Sequence, residues 1–438
     1  MSKRVSSPKR LEATISPPGD KSISHRALIL NSIAEGSSTI TNLCVGDDRE
    51  AMLQCLRALG VRIEHQPTPN GTEDRFTLHG LGHDGLVEPS TVLDASNSGT
   101  TIRLVSGLLA GQSFFSVITG DSSLRSRPMG RIVKPLQQMG AQIMGRGEDS
   151  LAPLAIRGGG LQGIEYTMPV PSAQVKSCLL LAGLYAKGKT TLHQPAASRD
   201  HTERMLERMG ASISVEHLTL TLQPDKPLSA IDVRVPSDIS SAAYWMVAAA
   251  CHPAAKITLL NVGINPMRSG IIEVLKAMNA RITLSEHRSE GGEETANITV
   301  ETSELKATEI SGSLLPRVID EVPILALAAC FARGKTVIRD AQDLRVKESD
   351  RISTTAHGLS LLGAKIEEHP DGMVISGIGS LRGCTVEDYN DHRLAMTMGI
   401  AGLLGSDETT VNGSESVNIS YPNFWHDLRV ATGATEDA

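Results

Sequence analysis

LRALGVRI (56–63), LQQMGAQI (136–143), LERMGASI (206–213), LKAMNARI (275–282) and LSLLGAKI (359–366) are one pattern written five times. It reads Leu-x-x-apolar-Gly-Ala-x-Ile, with Asn279 in place of Gly in the fourth copy. A degenerate sixth copy, LRVATGA, starts at Leu428, and successive copies are 80, 70, 69, 84 and 69 residues apart. Each copy predicts the end of an amphipathic helix, a closing residue in the left-handed conformation, and then a strand. Between the copies runs a second pattern, an almost wholly apolar helix that often ends at Gly before a Ser/Thr-rich strand. RALILNSIAEGSSTITN (26–42), CLLLAGLYAKGKTTLHQP (178–195) and LAMTMGIAGLLGSDETTVNG (394–413) are examples. A helix apolar on every side is a buried helix. Both patterns keep phase together, so chance recurrence is a poor account of them. The 438 residues divide into six units of about 73, each with one buried helix, one surface helix and about four strands. Grouped three and three, they predict two domains, with a boundary near Pro236 in VRVPSDISS (233–241).

Composition narrows the class. Hydrophobic residues make up 40%, enough for sizeable cores, but aromatics only 3%, so packing relies on Ala, Leu, Ile, Val and 40 Gly. The formal charge is −7, with no basic block, which opposes general nucleic-acid binding but not a local cationic pocket. Six Cys are far apart and form no C-x-x-C pair, so zinc and disulfide frameworks are not expected; buried free thiols in a reducing cytosol are. The N-terminus lacks a signal-peptide core, and no apolar run approaches the ~20 residues of a membrane span.

Equivalent helix entrances should occupy equivalent places. They read PGDKSISHR (18–26), DASNSGTTIR (94–103), PSAQVKS (171–177), PSDISS (236–241), VIDEVP (318–323) and NDHRLAM (390–396). Ser, Asn and Asp there are natural N-caps, and capping alone would account for any single entrance. Lys21, Ser22, Arg26, Asn97, Arg103, Gln174, Lys176, His392 and Arg393 exceed what capping needs. The surface helices open similarly, with SLRSRPMGR (123–131), ASRDHTER (197–204) and RVKESDR (345–351). A charge run such as RVKESDR is as often only a solvated face, but its place in the repeat favours function for Arg127, Arg199, Lys347, Glu348 and Arg351. Helix N-termini and Arg or Lys gathered at one cleft suit small, multiply anionic substrates. GDKS (19–22) lacks the rest of a phosphate-binding P-loop, and no H-E-x-x-H, G-x-S-x-G or G-x-G-x-x-G motif is present. Cys178 and Cys330 fall within apolar helices and read as packing residues.

PGDKSISHRALIL, NSGTTIR, RSRPM, SAQVKS, LRVKESDR and YNDHRLAM, in that order, resemble the 3-phosphoshikimate 1-carboxyvinyltransferase (EPSP synthase) family over about residues 15–425. SAQVKS and LRVKESDR are similar to one of its branches, distinct from the branch with SSQ and WRVKETDR. The resemblance implies an α/β fold of two inverted α/β barrels, six βαβαββ repeats, three per domain. One domain would hold residues 1–20 and 237–438, the other 21–236, with the active site in the cleft between them that closes on substrate. It implies transfer of the enolpyruvyl group of phosphoenolpyruvate to the 5-hydroxyl of 3-phosphoshikimate by addition and elimination, on the route to chorismate and aromatic amino acids. No metal or cofactor is implied, nor a nucleic-acid or membrane partner; a cytoplasmic monomer is.

Residue by residue, the resemblance places Lys21, Ser22, Arg26, Ser172, Ala173, Gln174, Arg199, Asp320 and Lys347 at 3-phosphoshikimate. It places Lys21, Asn97, Gly99, Arg127, Gln174, Arg351 and Arg393 at phosphoenolpyruvate. Asp320 would accept the proton of the 5-hydroxyl, and Glu348 and Lys21 would handle the proton at the methylene carbon; the division of acid and base among these three stays open. Ala173 replaces a Ser of the other branch, and Ile419 stands where that branch has a Lys. Gly99 is the small residue expected of a glyphosate-accessible site. The related UDP-N-acetylglucosamine enolpyruvyl transferases usually carry a reactive Cys, or an acidic replacement, in a loop that here reads TGDSSLRSRPMG (119–130), without Cys. An RNA 3′-phosphate cyclase would need a nucleotide motif, and a non-catalytic repeat scaffold would not need cations at equivalent entrances.

Overall fold

The structure, a computed structural model, describes residues 1–68 and 74–433. The last residue of the sixth pattern copy, Ala434, lies outside them. The chain forms two compact units. One comprises Gly19–Val235 with Glu290–Glu293; the other comprises Met1–Pro18, Pro236–Ser289 and Glu294 onward.

The Leu-x-x-apolar-Gly-Ala-x-Ile pattern is a helix end followed by a strand. Gly60, Gly140, Gly210, Asn279, Gly363 and Gly433 all close surface helices with φ between 69° and 106°. Glycine has no Cβ to clash there, and asparagine is among the few side-chain-bearing residues that tolerate this region. The apolar segments form the buried helices Lys21–Ser32, Gly99–Gly111, Ala173–Gly183, Ile239–Cys251, Val322–Phe331 and His392–Leu404. Gly99–Gly111 and Ala173–Gly183 approach closely because Gly107 has no side chain; a Cβ there would stand 2.2 Å from the Cys178 carbonyl oxygen.

Each buried helix feeds a strand at the centre of a small mixed sheet. In the Gly19–Val235 unit, Phe115–Thr119 runs parallel to Leu93–Asp94 and antiparallel to Leu151–Arg157. Ser37–Thr41 and Thr190–His193 have the same neighbours in kind. Central strands such as Ser37–Thr41 bury alternate residues, as one core-facing side requires. The parallel neighbour of Ser37–Thr41 is Val233–Arg234, from the far end of the same unit (Val233 opposite Ile40). In the other unit Leu11–Ile15 pairs with Ala255–Gly263, and Ser2–Val5 pairs with Thr409–Asn412. Backbone hydrogen bonds are what place the N-terminal residues with the later half of the chain.

Each unit has its own apolar core. Scarce as aromatics are, Tyr244, Trp245, Tyr421, Phe424 and Trp425 gather in one core around Phe424, with ring centroids 5.0–6.0 Å away. Cys178 and Cys330 are fully buried packing residues. The expectation of uniformly buried thiols needs correction, since Cys251 and Cys384 are only partly buried. Among the described residues, no helix is long and apolar enough to cross a membrane.

Candidate active site

In the Gly19–Val235 unit the Asp20 side chain caps the Lys21–Ser32 helix by accepting from the Ile23 amide at 2.9 Å. Lys21 is therefore the first helical residue, and its Nζ donates to Asp48 Oδ2 at 2.8 Å. Asp48 is nearly buried and Lys21 is partly open, so the carboxylate aims the ammonium without hiding it. One turn on, Arg26 is buried, and each of its three nitrogens donates one hydrogen bond. It donates to the Ser22 carbonyl at 2.8 Å, Thr202 Oγ1 at 2.7 Å and Ser177 Oγ at 2.7 Å. Burial pulls its guanidinium down to about 10 while Glu203 opposes the shift, so it stays protonated at neutral pH. Arg199 Nη1 donates to Ser22 Oγ at 3.5 Å. Ser22, Arg26 and Arg199 thus share one network, and the Lys21–Asp48 pair stands at the start of the same helix. His25 is buried among them and pulled down to about 4, chiefly by burial, so its ring is neutral. Its Nδ1 lies 2.8 Å from the Lys21 carbonyl, which only accepts, so that nitrogen carries the proton.

A second network joins two buried helices. Gln174 Oε1 accepts from Arg103 Nη1 at 2.6 Å, and its Nε2 donates to Thr100 Oγ1 at 2.9 Å. Ser172 caps the Gln174 helix through the Val175 amide, and Ala173 is that helix's first residue. Asn97 Oδ1 accepts from Arg127 Nη2 at 2.8 Å, while its Nδ2 donates to Asp121 Oδ2 at 2.7 Å. Gly99 lies under two guanidinium groups: a Cβ would be 2.9 Å from Arg103 Nη1 and 3.3 Å from Arg127 Nη1. The two networks meet on one helix, which supplies Gln174 to the second and Ser177 to the first.

In the other unit Asp320 sits in the turn Ile319–Glu321 that leads into the Val322–Phe331 helix. Three cations face its carboxylate: Lys347 at 3.6 Å, Arg351 at 3.7 Å and Arg393 at 3.9 Å. Arg351 is 1% exposed and is oriented by Asp391, with Nε at 2.7 Å from Oδ2 and Nη2 at 3.1 Å from Oδ1. Its Nη2 also donates to Glu348 at 2.6 Å. Burial pulls Arg351 down, but Asp391 and Glu348 outweigh it and hold the guanidinium above its ordinary value. Burial likewise pulls Arg393 down and is outweighed by Asp320 and its acidic neighbours. Asp391 also caps the His392–Leu404 helix through the Arg393 amide at 3.0 Å and accepts from Ser349 Oγ at 3.0 Å. Burial pushes the Asp391 carboxyl up, yet Arg351 brings it below the usual carboxylate range. One carboxylate therefore fixes Arg351, the start of the Arg393 helix and the Ser349 hydroxyl. Ile419 ends the turn Ser414–Ile419 and is half-buried.

Lys176 departs from the expectation that it is an available cation: its side chain is 0% exposed and paired with Glu203 at 2.6 Å. Spacing along the chain does not reveal the partners Asp48, Glu203 and Asp391, because each carboxylate is remote in sequence from its cation or lies inside a cation-rich motif. Asp391 was legible in principle, as the N-cap beside His392 in NDHR. Arg268 carried no sequence signal either; it is buried with Glu321, the last residue of the Asp320 turn, at 3.1 Å, Asp238 at 3.3 Å and Ser240. Among the described residues no group of three or more His, Cys, Asp or Glu could hold a metal ion.

The family model described as EPSP synthase (3-phosphoshikimate 1-carboxyvinyltransferase) matches residues 5–428. A 3-phosphoshikimate 1-carboxyvinyltransferase of Roseiflexus castenholzii is 51% identical over 426 residues, covering 96% of this chain and 97% of its own. One from Gloeothece citriformis is 53% identical over 418 residues, covering 94% and 92%. The solved EPSP synthase of Acinetobacter baumannii superposes with a TM-score of 0.86 at 44% identity, covering 99% of this chain and 98% of that one. Similarity at this level over nearly the whole chain leads to one conclusion: the chain belongs to the EPSP synthase family, the 3-phosphoshikimate 1-carboxyvinyltransferases.

Proposed function

We propose that these networks hold the two anionic substrates of this family's reaction. The chain is an enolpyruvyl transferase of the shikimate pathway, acting on phosphoenolpyruvate and 3-phosphoshikimate. In this reading Lys21, Ser22, Arg26, Ser172, Ala173, Gln174 and Arg199 hold 3-phosphoshikimate, with its phosphate on the cations. Lys347 and Asp320 take its hydroxyls. Asn97, Gly99, Arg127, Arg351 and Arg393, with Lys21 and Gln174, hold phosphoenolpyruvate, whose phosphate and carboxylate suit the planar donors of arginine.

The observation that carries the mechanism is Asp320, whose carboxylate has Lys347, Arg351 and Arg393 within 4.0 Å. A carboxylate among three cations is a poor base until their charge is taken elsewhere. Anions arriving at Arg351 and Arg393 take it, so substrate binding strengthens Asp320 as acceptor of the 5-hydroxyl proton. The hydroxyl oxygen bonds to C2 of phosphoenolpyruvate while the methylene carbon gains a proton from Glu348 or Lys21. Return of a methyl proton to the group that gave it and cleavage of the bond between C2 and the phosphate oxygen then release phosphate, whose developing charge the cations stabilise. The step needs no metal or organic cofactor.

Incubation with phosphoenolpyruvate and either 3-phosphoshikimate or UDP-N-acetylglucosamine, followed by phosphate assay, tests the reading. Release with 3-phosphoshikimate alone is expected; release only with the nucleotide sugar overturns it.

A further inference from the structure

Lys176 lies two residues after Gln174, on the helix that serves both networks of its unit. Its wholly buried Nζ makes two contacts: Glu203 Oε1 at 2.6 Å and the Ser198 carbonyl, to which it donates at 3.2 Å. Ser198 and Glu203 bracket Arg199 in the sequence. The lysine therefore ties both sides of the Arg199 turn to the helix that carries Gln174. Its neighbour Ser177 completes the attachment: Ser177 Oγ lies 2.7 Å from Thr202 Oγ1, and both hydroxyls accept from Arg26.

Stability alone is a weak reason for this pair. Desolvation of two buried charges offsets their attraction, and a well-packed apolar pair serves as well in many cores. Glu203 Oε2 finds no hydrogen-bond donor among the described residues, so the pair is not even fully satisfied. Burial pulls the Lys176 ammonium down, and Glu203 opposes the shift. What an apolar pair could not supply is the grip on the Ser198 carbonyl, one residue before Arg199.

We infer that Lys176 is a positioning residue for recognition of the 3-phosphoshikimate phosphate: paired with Glu203 and bonded to Ser198, it fixes the turn that holds Arg199 against Ser22 beside Arg26. The inference rests on the role proposed above for Arg199 at that phosphate.

Steady-state phosphate release by the full chain tests it, with Lys176→Met, Arg199→Ala and the Lys176→Met/Arg199→Ala double variant. Lys176→Met should raise KM for 3-phosphoshikimate roughly 10–100-fold, the loss of about one charge-assisted hydrogen bond, and move KM for phosphoenolpyruvate less than about twofold. If Lys176 acts through Arg199, adding Lys176→Met to Arg199→Ala should change KM by less than about twofold further. If the stranded Glu203 carboxylate prevents Lys176→Met from folding, Lys176→Met/Glu203→Gln removes both charges and takes its place in every comparison. An unchanged KM for 3-phosphoshikimate overturns the inference, as does an equal rise for both substrates or an effect that adds in full to Arg199→Ala. Arg199→Ala by itself tests the underlying reading. An unchanged KM there removes Arg199 from the phosphate site, whereas a raised KM there with none in Lys176→Met overturns the positioning role alone.

Discussion

Asp391→Asn isolates the buried carboxylate that organises Arg351. The change preserves volume, and the amide oxygen can still accept from the Arg393 backbone, so the helix cap survives. The group replacing Oδ2 is now a donor and faces the Arg351 Nε donor at 2.7 Å, while the Ser349 hydroxyl at 3.0 Å can turn to accept from it. The variant thus loses the shorter of the two bonds from Asp391 and one of the charges that, with Glu348, compensate a guanidinium only 1% exposed. Breaking such a buried pair costs about 3–5 kcal/mol. At roughly 2–4 °C per kcal/mol for units of this size, the melting temperature should fall by about 6–20 °C. Loosening Arg351 should also raise KM for phosphoenolpyruvate by about tenfold or more. Because the folded state holds the Asp391 carboxyl below its ordinary value, the pair's contribution is complete above the unfolded value of about 4 and lost as pH falls through the lower folded one. The stability gap between wild type and variant should therefore be constant from about pH 6 to 8 and shrink below about pH 4. Thermal melts across that range and phosphate-release kinetics at neutral pH are the assays. A melting temperature within about 3 °C of wild type, with unchanged KM, would refute the organising role.

Other perturbations reach other groups. Gly99→Ala would put a Cβ 2.9 Å from Arg103 Nη1, forcing it off its 2.6 Å bond to Gln174. KM for phosphoenolpyruvate should rise about tenfold with little change in melting temperature, and an unchanged KM would show that the floor has slack. Lys21→Met and Asp320→Ala should each cost about 100-fold or more in turnover while the chain stays folded; wild-type turnover in either removes that residue from the catalytic set. Glyphosate should inhibit competitively against phosphoenolpyruvate, and full activity at millimolar inhibitor would contradict an open Gly99 pocket.

Local chemistry was legible in the chain. Six helix ends needed a left-handed residue, and Gly or Asn stands at each. Asp20, Ser98, Ser172, Asp238 and Asp391 cap buried helices as their side chains suit them to do. The Val322–Phe331 helix has no such cap and starts instead after the turn that displays Asp320, with Pro323 at its beginning. Pairing was not legible. Lys21 meets Asp48 across 27 residues, Arg351 meets Asp391 across 40, and Arg26 meets Ser177 across 151. Pattern reading grouped Lys176 with the substrate-facing cations because spacing reports which residues share a repeat position, not which side chain folds inward.

By itself the sequence determined where helices start and stop, which helices are apolar enough to be buried, and which short motifs carry the cations. Those properties depend on backbone conformation and on transfer from water, and both are set within a few residues. Only the tertiary structure decided the charge of each cation's surroundings. It closed sheets with strands from the far ends of the chain, placed Asp320 among three cations, and buried Lys176 against Glu203. Coulomb attraction and desolvation depend on distance and burial in space, which residue spacing along the chain does not specify.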